Sequence, residues 1–584
     1  MAVEWSWENE LKRYLKTNSG FINMGWAATS AHRGTEIYFK TALRFVKKDW
    51  PHFRQAFHDY SFFQIDKHSH LFSYALQRLG IKKGDVVFSL CPRLPEFYVT
   101  AIGSLKRGTV FAPLFSAFGP EPILTRLNKG QGRVLFTLTS LYKKKIAPIR
   151  DQLTSLEHIV LLDDSEEGKG IPGAIDFYTL LEEAEGDLHF DWHESDMSYW
   201  WSDQFIEKTD EKTPALLHFT SGTTGQPKGA LHTHGATIFH LHSGPMALDF
   251  ESNDTFWCTA DPGWVTGMSY GVISPLLNGI TSIVDEAEFE AERWYRILQD
   301  FKVTVWYTAP TALRMLMQQG EDLPQQFNLD SVRFVASVGE PLNREVILWA
   351  EKNLKFTIHD NWWQTETGGI IIANLPNTKV KPGSMGKPLP GLQVRLMRRR
   401  PNGAIEFITK PHERGEIAIH RDWPALFLSY LNDEERYRKC FHGDWYLSGD
   451  LATFDEDGYY WFVGRSDDVI KSSGHLIGPF EVESAILEHP LVAEAGVIGV
   501  PDPIAGEVVK AFVSLKKSAT PSDNLGIEIL RLTRTRLGPA VAPRSIGFLP
   551  SLPKTRSGKI MRRLLRAREL GLPEGDTSTL EMNP

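Results

Sequence analysis

The sequence predicts an α/β fold with two domains, on the basis of chain length, alternating patterns and a change of character near residue 450. The chain has 584 residues, several times the usual length of one domain. Short β-rich runs at residues 86–90, 134–137 and 158–162 alternate with helical patterns. This alternation is typical of parallel sheets with crossover helices. We therefore expect a large N-terminal domain of parallel-rich sheets with helices.

A smaller unit is predicted beyond a polar connector at residues 464–468 (GRSDD). A hairpin turn (DEDG, 455–458) precedes the connector, and Pro479 is typical of the first position of a helix. The pattern then predicts a helix, two strands and a helix, at 480–489, 496–500, 508–515 and from about 526. We expect residues 1–466 to form the large domain and residues 467–584 a small mobile α+β domain.

Composition excludes several classes of protein. A net charge of −8 and a pI near 6.2 argue against nucleic-acid binding, which needs a concentrated positive surface. Three widely spaced cysteines, Cys91, Cys258 and Cys440, fit neither a disulfide framework nor a zinc ribbon. The first residues lack the pattern of a signal peptide, and the chain has no apolar run of membrane-spanning length. These features predict a cytoplasmic protein without stable membrane insertion.

The strongest local signal is a loop at residues 220–229 (TSGTTGQPKG) that follows an apolar run at 215–219. Its glycines allow backbone N–H groups to turn toward an anion, its hydroxyls add donors, and its lysine adds a mobile cation. The spacing differs from that of a Walker A loop. We predict a phosphate loop formed by Thr220, Ser221, Gly222, Thr223, Thr224, Gly225 and Lys228.

This loop resembles the phosphate loop of the acyl-adenylate-forming enzymes, a family that includes the acyl-CoA synthetases. Five further segments resemble the motifs of that family in the same order: 337–341 (SVGEP), 360–369 (DNWWQTETGG), 446–450 (YLSGD), 464–468 (GRSDD) and 553–559 (PKTRSGK). Six motifs in register extend the resemblance over most of the chain. Within the family, the chain is most similar to the AMP-forming acetyl-CoA synthetases.

The resemblance implies that ATP, AMP and coenzyme A bind, with Mg²⁺ as cofactor. Asp450 suits ribose hydroxyls, and Arg465 suits ribose or phosphate oxygens. Glu366 is expected to hold Mg²⁺ on the ATP phosphates, Thr365 to bond the α-phosphate, and Lys559 to stabilise charge that develops there. The implied nucleotide contacts are Gly339, Glu340, Pro341, Asp360, Asn361, Trp362, Gln364, Thr365, Asp450 and Arg465.

The family mechanism has two half-reactions. A carboxylate first forms an acyl-adenylate with loss of pyrophosphate, and the small domain then rotates about Asp467 to admit the CoA thiol. Thr266, Ser473 and Gly474 are the implied CoA contacts. Lysines equivalent to Lys559 are acetylation targets in this family, so loss of its charge is an expected form of regulation.

Trp363 is expected to select the acid. Resemblance to acetyl-CoA synthetases places this ring across the end of the acyl pocket, where it excludes longer chains by overlap. The expected pocket residues are Trp264, Val265, Thr266, Val338 and Trp363. Acetate or a similarly short acid is therefore the predicted substrate.

Some positions depart from the family pattern. Leu476 stands where a cation is usual near the ATP phosphates, and Met268 replaces a common histidine. A second cation site is implied at Leu487, His489 and Val492, mainly through backbone oxygens. The physiological direction, thioester synthesis or ATP formation, stays open.

Two alternatives remain. Lys471 and the segment at 477–483 (IGPFEVE) resemble medium-chain or aromatic acid–CoA ligases. A non-catalytic nucleotide-binding regulator is favoured by Leu476 and opposed by the presence of Lys559, Glu366 and Asp450.

Overall fold

The computed structural model describes residues 6–18, 20–51, 56–188, 203, 205–220, 227–400, 404–473, 475–516, 519–555, 559–575, 577 and 580. Within these residues the chain forms four β-sheets, with helices packed on the first two and the last. The predicted α/β fold class is confirmed. None of the described helices is long and apolar enough to span a bilayer.

The first sheet carries the predicted nucleotide motif. Over the described residues it has nine strands, in the order Lys387–Pro388, Ile372–Ala373, Ile358–Trp362, Phe334–Ser337, Val305–Thr308, Thr255–Cys258, Thr281–Asp285, Thr41–Val46 and Phe57–Ser61. The strands from Ile358–Trp362 to Thr41–Val46 are parallel, and antiparallel pairs occur only at the two edges. Parallel strands end at one edge, so Thr308, Ser337 and Trp362 lie along the same side of the sheet.

The second sheet leads into the predicted phosphate loop. Its eight described strands follow the order Ser429–Tyr430, Lys228–Thr233, Pro214–Thr220, Val110–Leu114, Val86–Leu90, Val134–Thr137, His158–Leu161 and Ala174–Asp176. Three of these are the strands predicted from the sequence, and they are parallel to one another. Strand Pro214–Thr220 ends where the loop begins, and Lys228–Thr233 returns antiparallel to it.

The third sheet was not predicted from the sequence. Its described strands are Ile405–Ile408, Val394–Arg399, Gly415–His420, Trp445–Phe454, Phe441–His442 and Tyr460–Arg465, all paired antiparallel. The chain therefore adds an antiparallel sheet to its two parallel-rich sheets. The predicted turn at 455–458 joins Trp445–Phe454 to Tyr460–Arg465, so the second strand delivers the polar connector.

The fourth sheet belongs to the C-terminal part of the chain. Its strands are His475–Ile477, Ile470–Ser472, Gly506–Leu515, Val492–Asp502 and Ser545–Phe548. Helices Pro479–Leu487 and Asp523–Leu537 match the predicted pair, and Arg562–Leu570 follows them. In the described part of the chain, no strand of this sheet comes from before residue 467. The domain limits 1–466 and 467–584 stay predictions.

The remaining long helices pack on the first two sheets or join their strands. They are Trp7–Thr17, Phe62–Arg78, Pro95–Lys106, Pro120–Gly130, Phe177–Asp187, Ala236–Leu248, Ala291–Asp300, Pro310–Met317 and Arg344–Asn353. Helix Phe62–Arg78 begins with a capping box, in which the Ser61 side chain accepts from Gln64 N–H and the Gln64 side chain bonds Ser61 N–H.

Candidate active site

Asp450 is the centre of a hydrogen-bonded cluster between the first and third sheets. Its carboxylate is almost fully buried. Oδ2 accepts from Trp362 Nε1 at 2.9 Å and from Gln364 Nε2 at 2.8 Å, and Oδ1 accepts from Arg465 Nη1 at 2.9 Å. Each carboxylate oxygen can accept two hydrogen bonds, so Oδ1 keeps capacity for a ligand hydroxyl. Three predicted nucleotide residues are thus held in one place with Asp450.

Gln364 and Arg465 are themselves fixed by the structure around Asp450. Gln364 donates to the carbonyl of Ser448 at 2.9 Å and accepts from Tyr446 Oη at 2.8 Å. Burial opposes the charge of Arg465, but the carboxylates of Asp450 and Asp467 outweigh it and raise its pKa. The cation is therefore permanent.

The 337–341 segment lies beside the buried side chain of Asp360, which lacks one hydrogen-bond partner among the described residues. Gly339 has φ of +94°, a backbone conformation that favours glycine. Glu340 is held by Arg314 at 2.6 Å. The side chain of Asp360 accepts from backbone N–H groups, but its Oδ1 has no hydrogen-bond partner among the described residues. Burial raises its pKa well above the usual value. An unpaired buried acceptor fits an amino group of a ligand.

The polyphosphate side is described only in part. Glu366 Oε1 accepts from Tyr430 Oη at 2.6 Å, and Lys228 Nζ lies 5.6 Å from the centre of the Tyr430 ring. Tyr430 therefore links a carboxylate to a loop cation. Thr220 ends its strand and is paired with Lys228 on the neighbouring antiparallel strand. Ser221, Gly222, Thr223, Thr224 and Gly225 lie outside the described residues.

Lys559 lies in a charged cleft of about 560 Å³ of empty space, whose walls come from both parts of the chain. The lining includes Glu340, Arg314 and Arg562. Lys559 is exposed to solvent at this cleft, and the other lining residues lie around it. Desolvation and repulsion from Arg465 and Arg562 lower its pKa, while Asp450 opposes the shift. The predicted catalytic lysine thus interacts electrostatically with the Asp450 cluster.

The profile of the AMP-binding enzyme family matches residues 40–431, and that of its C-terminal domain matches residues 481–559. The chain belongs to the AMP-binding enzyme family. It is 41% identical over 580 residues to the acetyl-coenzyme A synthetase of Bacillus subtilis, covering 99% of this chain and 96% of that protein.

Solved structures of AMP-binding enzymes are also similar. An acyl-CoA synthetase of Brucella canis is 32% identical with a TM-score of 0.68, covering 97% of this chain and 99% of that one. A benzoate CoA ligase from Burkholderia xenovorans is 25% identical with a TM-score of 0.77, covering 93% and 99%. Both resemble the whole arrangement described above.

In this AMP-binding enzyme, Trp363 and Val338 belong to the same apolar cluster. The Trp363 ring meets Tyr270 edge-on, with centroids 5.4 Å apart, and its Nε1 donates to Tyr307 Oη at 3.3 Å. These contacts hold a half-buried indole beside a buried valine, as expected for a pocket wall.

Trp264 packs elsewhere. Its ring contacts Phe115 and Phe118, with centroids 5.2 and 6.0 Å away, in a different apolar cluster. Val265 and Thr266 begin the short helix Val265–Met268 and are half-buried. The structure therefore groups Trp264 apart from Trp363, and its pocket role stays a prediction.

The predicted hinge and CoA residues lie at the start of the fourth sheet. Arg465 Nε is 3.4 Å from Asp467 Oδ1, at the edge of hydrogen-bond range. Ser473 adopts φ of +48° in the turn between two strands, and its N–H donates to Ala505 at 2.8 Å. Gly474 and the side chain of Leu476 lie outside the described residues.

The second cation site is not supported by a ligand cluster. The described residues contain no group of three or more His, Cys, Asp or Glu side chains that could hold a metal. His489 Nε2 lies 3.3 Å from Glu528, and its Nδ1 accepts from Leu491 N–H at 3.3 Å. Because Leu487 and Val492 would contribute backbone oxygens, that site stays a prediction.

Three tyrosines that brace the site were not predicted from the sequence, namely Tyr270, Tyr307 and Tyr430. Tyr446, which also bonds within the site, lies in the predicted 446–450 motif. One signal was available. Tyr307 is the next-to-last residue of strand Val305–Thr308, at the edge where parallel strands place ligands.

Proposed function

We propose that this chain is an AMP-forming acetate–CoA ligase that converts acetate, ATP and CoA into acetyl-CoA, AMP and pyrophosphate. The main support for this proposal is the Asp450 cluster, in which Trp362, Gln364 and Arg465 surround one carboxylate. Lys559, in the cleft, interacts electrostatically with this cluster. Near full-length similarity to a protein named acetyl-coenzyme A synthetase supports the choice of acid.

In the first half-reaction, a carboxylate oxygen of acetate attacks the α-phosphorus of ATP. An O–P bond forms, the bond to the β-phosphate breaks, and pyrophosphate leaves with its electron pair. Lys559 stabilises the charge on the α-phosphate, and Asp450 fixes the ribose so that the phosphorus faces the acid. Asp360 Oδ1 accepts from the adenine amino group, which satisfies its missing partner.

Glu366 would hold Mg²⁺ on the ATP phosphates. Its carboxylate oxygens are the ligand type that Mg²⁺ prefers, and Tyr430 orients one of them. When bound, the ion supplies positive charge that neutralises the phosphates. Lys228 adds a second positive charge on the same side of the site.

In the second half-reaction, the sulfur of CoA attacks the carbonyl carbon of acetyl-adenylate. A C–S bond forms, the C–O bond to AMP breaks, and the thiol proton passes to solvent. Rotation about Asp467 would withdraw Lys559 and bring Ser473 and Gly474 against the cleft. Thr266 would then border the path of the thiol. We place this cycle in the cytoplasm, consistent with three cysteines that form no disulfide.

Acid selection would depend on Trp363. The ring contacts Tyr270 and Tyr307 and belongs to the same apolar cluster as Val338, and we propose that it forms the end wall of a short acyl pocket. A second candidate is an aromatic acid–CoA ligase, favoured by structural likeness to a benzoate CoA ligase. That enzyme's pocket must admit a ring that would overlap a fixed indole in this chain.

A panel of acids separates the two candidates. Purified protein is assayed with formate, acetate, propionate, butyrate, octanoate and benzoate, with detection of AMP and the thioester. The proposal expects the highest kcat/KM with acetate, and Trp363→Gly should move the optimum to longer acids. A native preference for octanoate or benzoate would overturn the acetate assignment and support the second candidate.

A further inference from the structure

One hydroxyl connects the acyl side of the site to the nucleotide side. Tyr307 is fully buried near the end of strand Val305–Thr308. Its Oη lies 3.3 Å from Trp363 Nε1 and 3.0 Å from Asn361 Oδ1. Trp363 and Asn361 are neighbours in the 360–369 motif but serve different halves of the proposed site. A single side chain from another strand therefore contacts both.

The chemistry of the three groups fixes their orientation. An indole N–H can only donate, so the Tyr307 hydroxyl must accept from Trp363. The hydroxyl has one proton, and it donates this proton to Asn361. The Asn361 amide must therefore turn its oxygen toward Tyr307 and its NH₂ group away. That NH₂ group is buried and has no hydrogen-bond partner within the described part of the chain, which leaves it free to donate to a nucleotide.

The neighbouring ring cannot replace Tyr307 in this arrangement. Tyr270 packs edge-on against both Trp363 and Tyr307, with centroids 5.4 and 5.9 Å apart. Its hydroxyl is occupied by Ile370 N–H and Ser243 Oγ, each at 2.9 Å. Tyr270 thus confines the indole by contact, while Tyr307 supplies the hydrogen bond that sets its rotation.

We propose that Tyr307 is a positioning residue that sets acid chain length through Trp363 and, through Asn361, couples the acid pocket to nucleotide binding. This inference rests on the proposed function. Tyr307 touches neither substrate and acts through two residues that do. A ring held by one hydroxyl closes the pocket at the length of acetate, and the same hydroxyl presents an amide donor to the nucleotide.

Tyr307→Phe is the direct test because it keeps the ring and removes both hydrogen bonds. The indole can then rotate and admit longer acids, and the amide loses its fixed orientation. We expect the ratio of kcat/KM for acetate over butyrate to fall about fivefold or more, and the KM for ATP to rise about fivefold. Tyr295→Phe is the matched control, because it removes an equally buried tyrosine hydroxyl from another cluster.

The Trp363→Gly background isolates the pathway. Without the indole, adding Tyr307→Phe should leave the acid preference unchanged and still raise the KM for ATP. A purely structural role would lower kcat for every acid in proportion and preserve the acetate-to-butyrate ratio, which would overturn the inference. If Tyr307→Phe shifts the acid preference further in the Trp363→Gly background, the inference is also overturned.

These outcomes are distinct from failure of the proposed function. If the native protein activates no acid, the proposed function fails before any variant is made. If native protein prefers acetate and Tyr307→Phe keeps that preference, only the role of Tyr307 fails.

Discussion

Arg465 Nη1 donates to Asp450 Oδ1 at 2.9 Å, so a cation of the polar connector at 464–468 is bonded to the carboxylate proposed to hold the ribose. Trp362 and Gln364 hold the other oxygen. The ribose contact, the nucleotide motif and the connector are thereby one hydrogen-bonded unit. Changes at this unit should affect ATP binding first.

Asp450→Ala should lower kcat/KM for ATP by about 100-fold, because it removes the ribose acceptor and leaves Arg465 without its principal carboxylate. Steady-state kinetics with saturating acetate and CoA provide the measurement. Asp457→Ala is the control, because it removes one exposed carboxylate that pairs with Lys381 at 2.6 Å. An unchanged KM for ATP in Asp450→Ala would contradict the assignment of this cluster to the nucleotide.

Lys559→Gln should abolish the first half-reaction and spare the second, because the lysine is proposed to act only on the α-phosphate. Adenylation should fall by about 100- to 1,000-fold, while thioester formation from supplied acetyl-adenylate and CoA persists. The same variant imitates acetylation, so it also tests regulation by loss of charge. Lys554→Gln is the control, since Lys554 pairs with Glu494 at 2.7 Å on the same cleft. Full adenylation activity in Lys559→Gln would contradict both roles.

The lowered pKa of Lys559 gives a pH dependence. Because the pKa of Lys559 is below the ordinary value for lysine, its charged form is lost at a lower pH than that of an ordinary lysine. The rate of adenylation should therefore decline on the alkaline side before the second half-reaction does.

Two contacts cross the predicted domain boundary in the structure in which Lys559 lies in the cleft. Arg414 Nη2 lies 2.9 Å from Glu481 Oε2, and Asn343 Nδ2 donates to Ser484 Oγ at 3.0 Å. Removing both, with Arg414→Ala and Asn343→Ala, should slow adenylation about threefold, since each contact is partly exposed. Thioester formation from acetyl-adenylate should not slow. Arg400→Ala, which removes an exposed pair with Glu406 of the third sheet, is the control. Equal slowing of both half-reactions would contradict this role.

Buried histidines predict loss of stability in mild acid. Burial, together with neighbouring histidines, lowers the pKa of His218 to about 3 and that of His240 to about 3, and burial lowers that of His232 to about 4. The ordinary value is 6.5, so below about pH 6.5 the unfolded chain binds protons that the folded chain does not. The free energy of unfolding is therefore complete above pH 6.5 and falls as pH decreases toward about 4.

Each of these three histidines contributes up to about 1.4 kcal/mol per pH unit. Burial also lowers the pKa of His70 and of His234 to about 3, so both add to the same slope. Urea unfolding at a series of pH values measures this slope. His218→Gln should reduce it by about 1.4 kcal/mol per pH unit, which corresponds to one bound proton. His412→Gln, at an exposed position, is the control. Stability that is flat between pH 6.5 and 4.5 would contradict the prediction.

Local patterns allowed much of the fold to be predicted. Strands such as Val86–Leu90 and His158–Leu161 are mostly apolar runs, and helix Pro479–Leu487 begins at the expected proline. The antiparallel third sheet escaped prediction because its strands alternate buried and exposed residues weakly. Strand Val394–Arg399, for example, ends in two exposed arginines.

The site was predictable where a residue belongs to a motif. Asp450, Arg465 and Gln364 were all expected near the nucleotide, and the structure holds them together. Tyr307 was not, because its role depends on the register of two strands that brings residues more than 50 positions apart into contact. Trp264 packs on Phe115 and Phe118 rather than on Trp363, so its proximity in sequence to Val265 does not by itself give its contacts, and its pocket role stays a prediction.

The first step of the proposed reaction is the activation of acetate as acetyl-adenylate. Exchange of labelled pyrophosphate into ATP, without CoA, measures that step directly. We predict exchange that requires acetate and Mg²⁺ and is lost in Lys559→Gln, with acetyl-CoA and AMP in equal amounts once CoA is added. Absence of exchange with every acid from one to eight carbons would contradict the account and indicate a nucleotide-binding regulator.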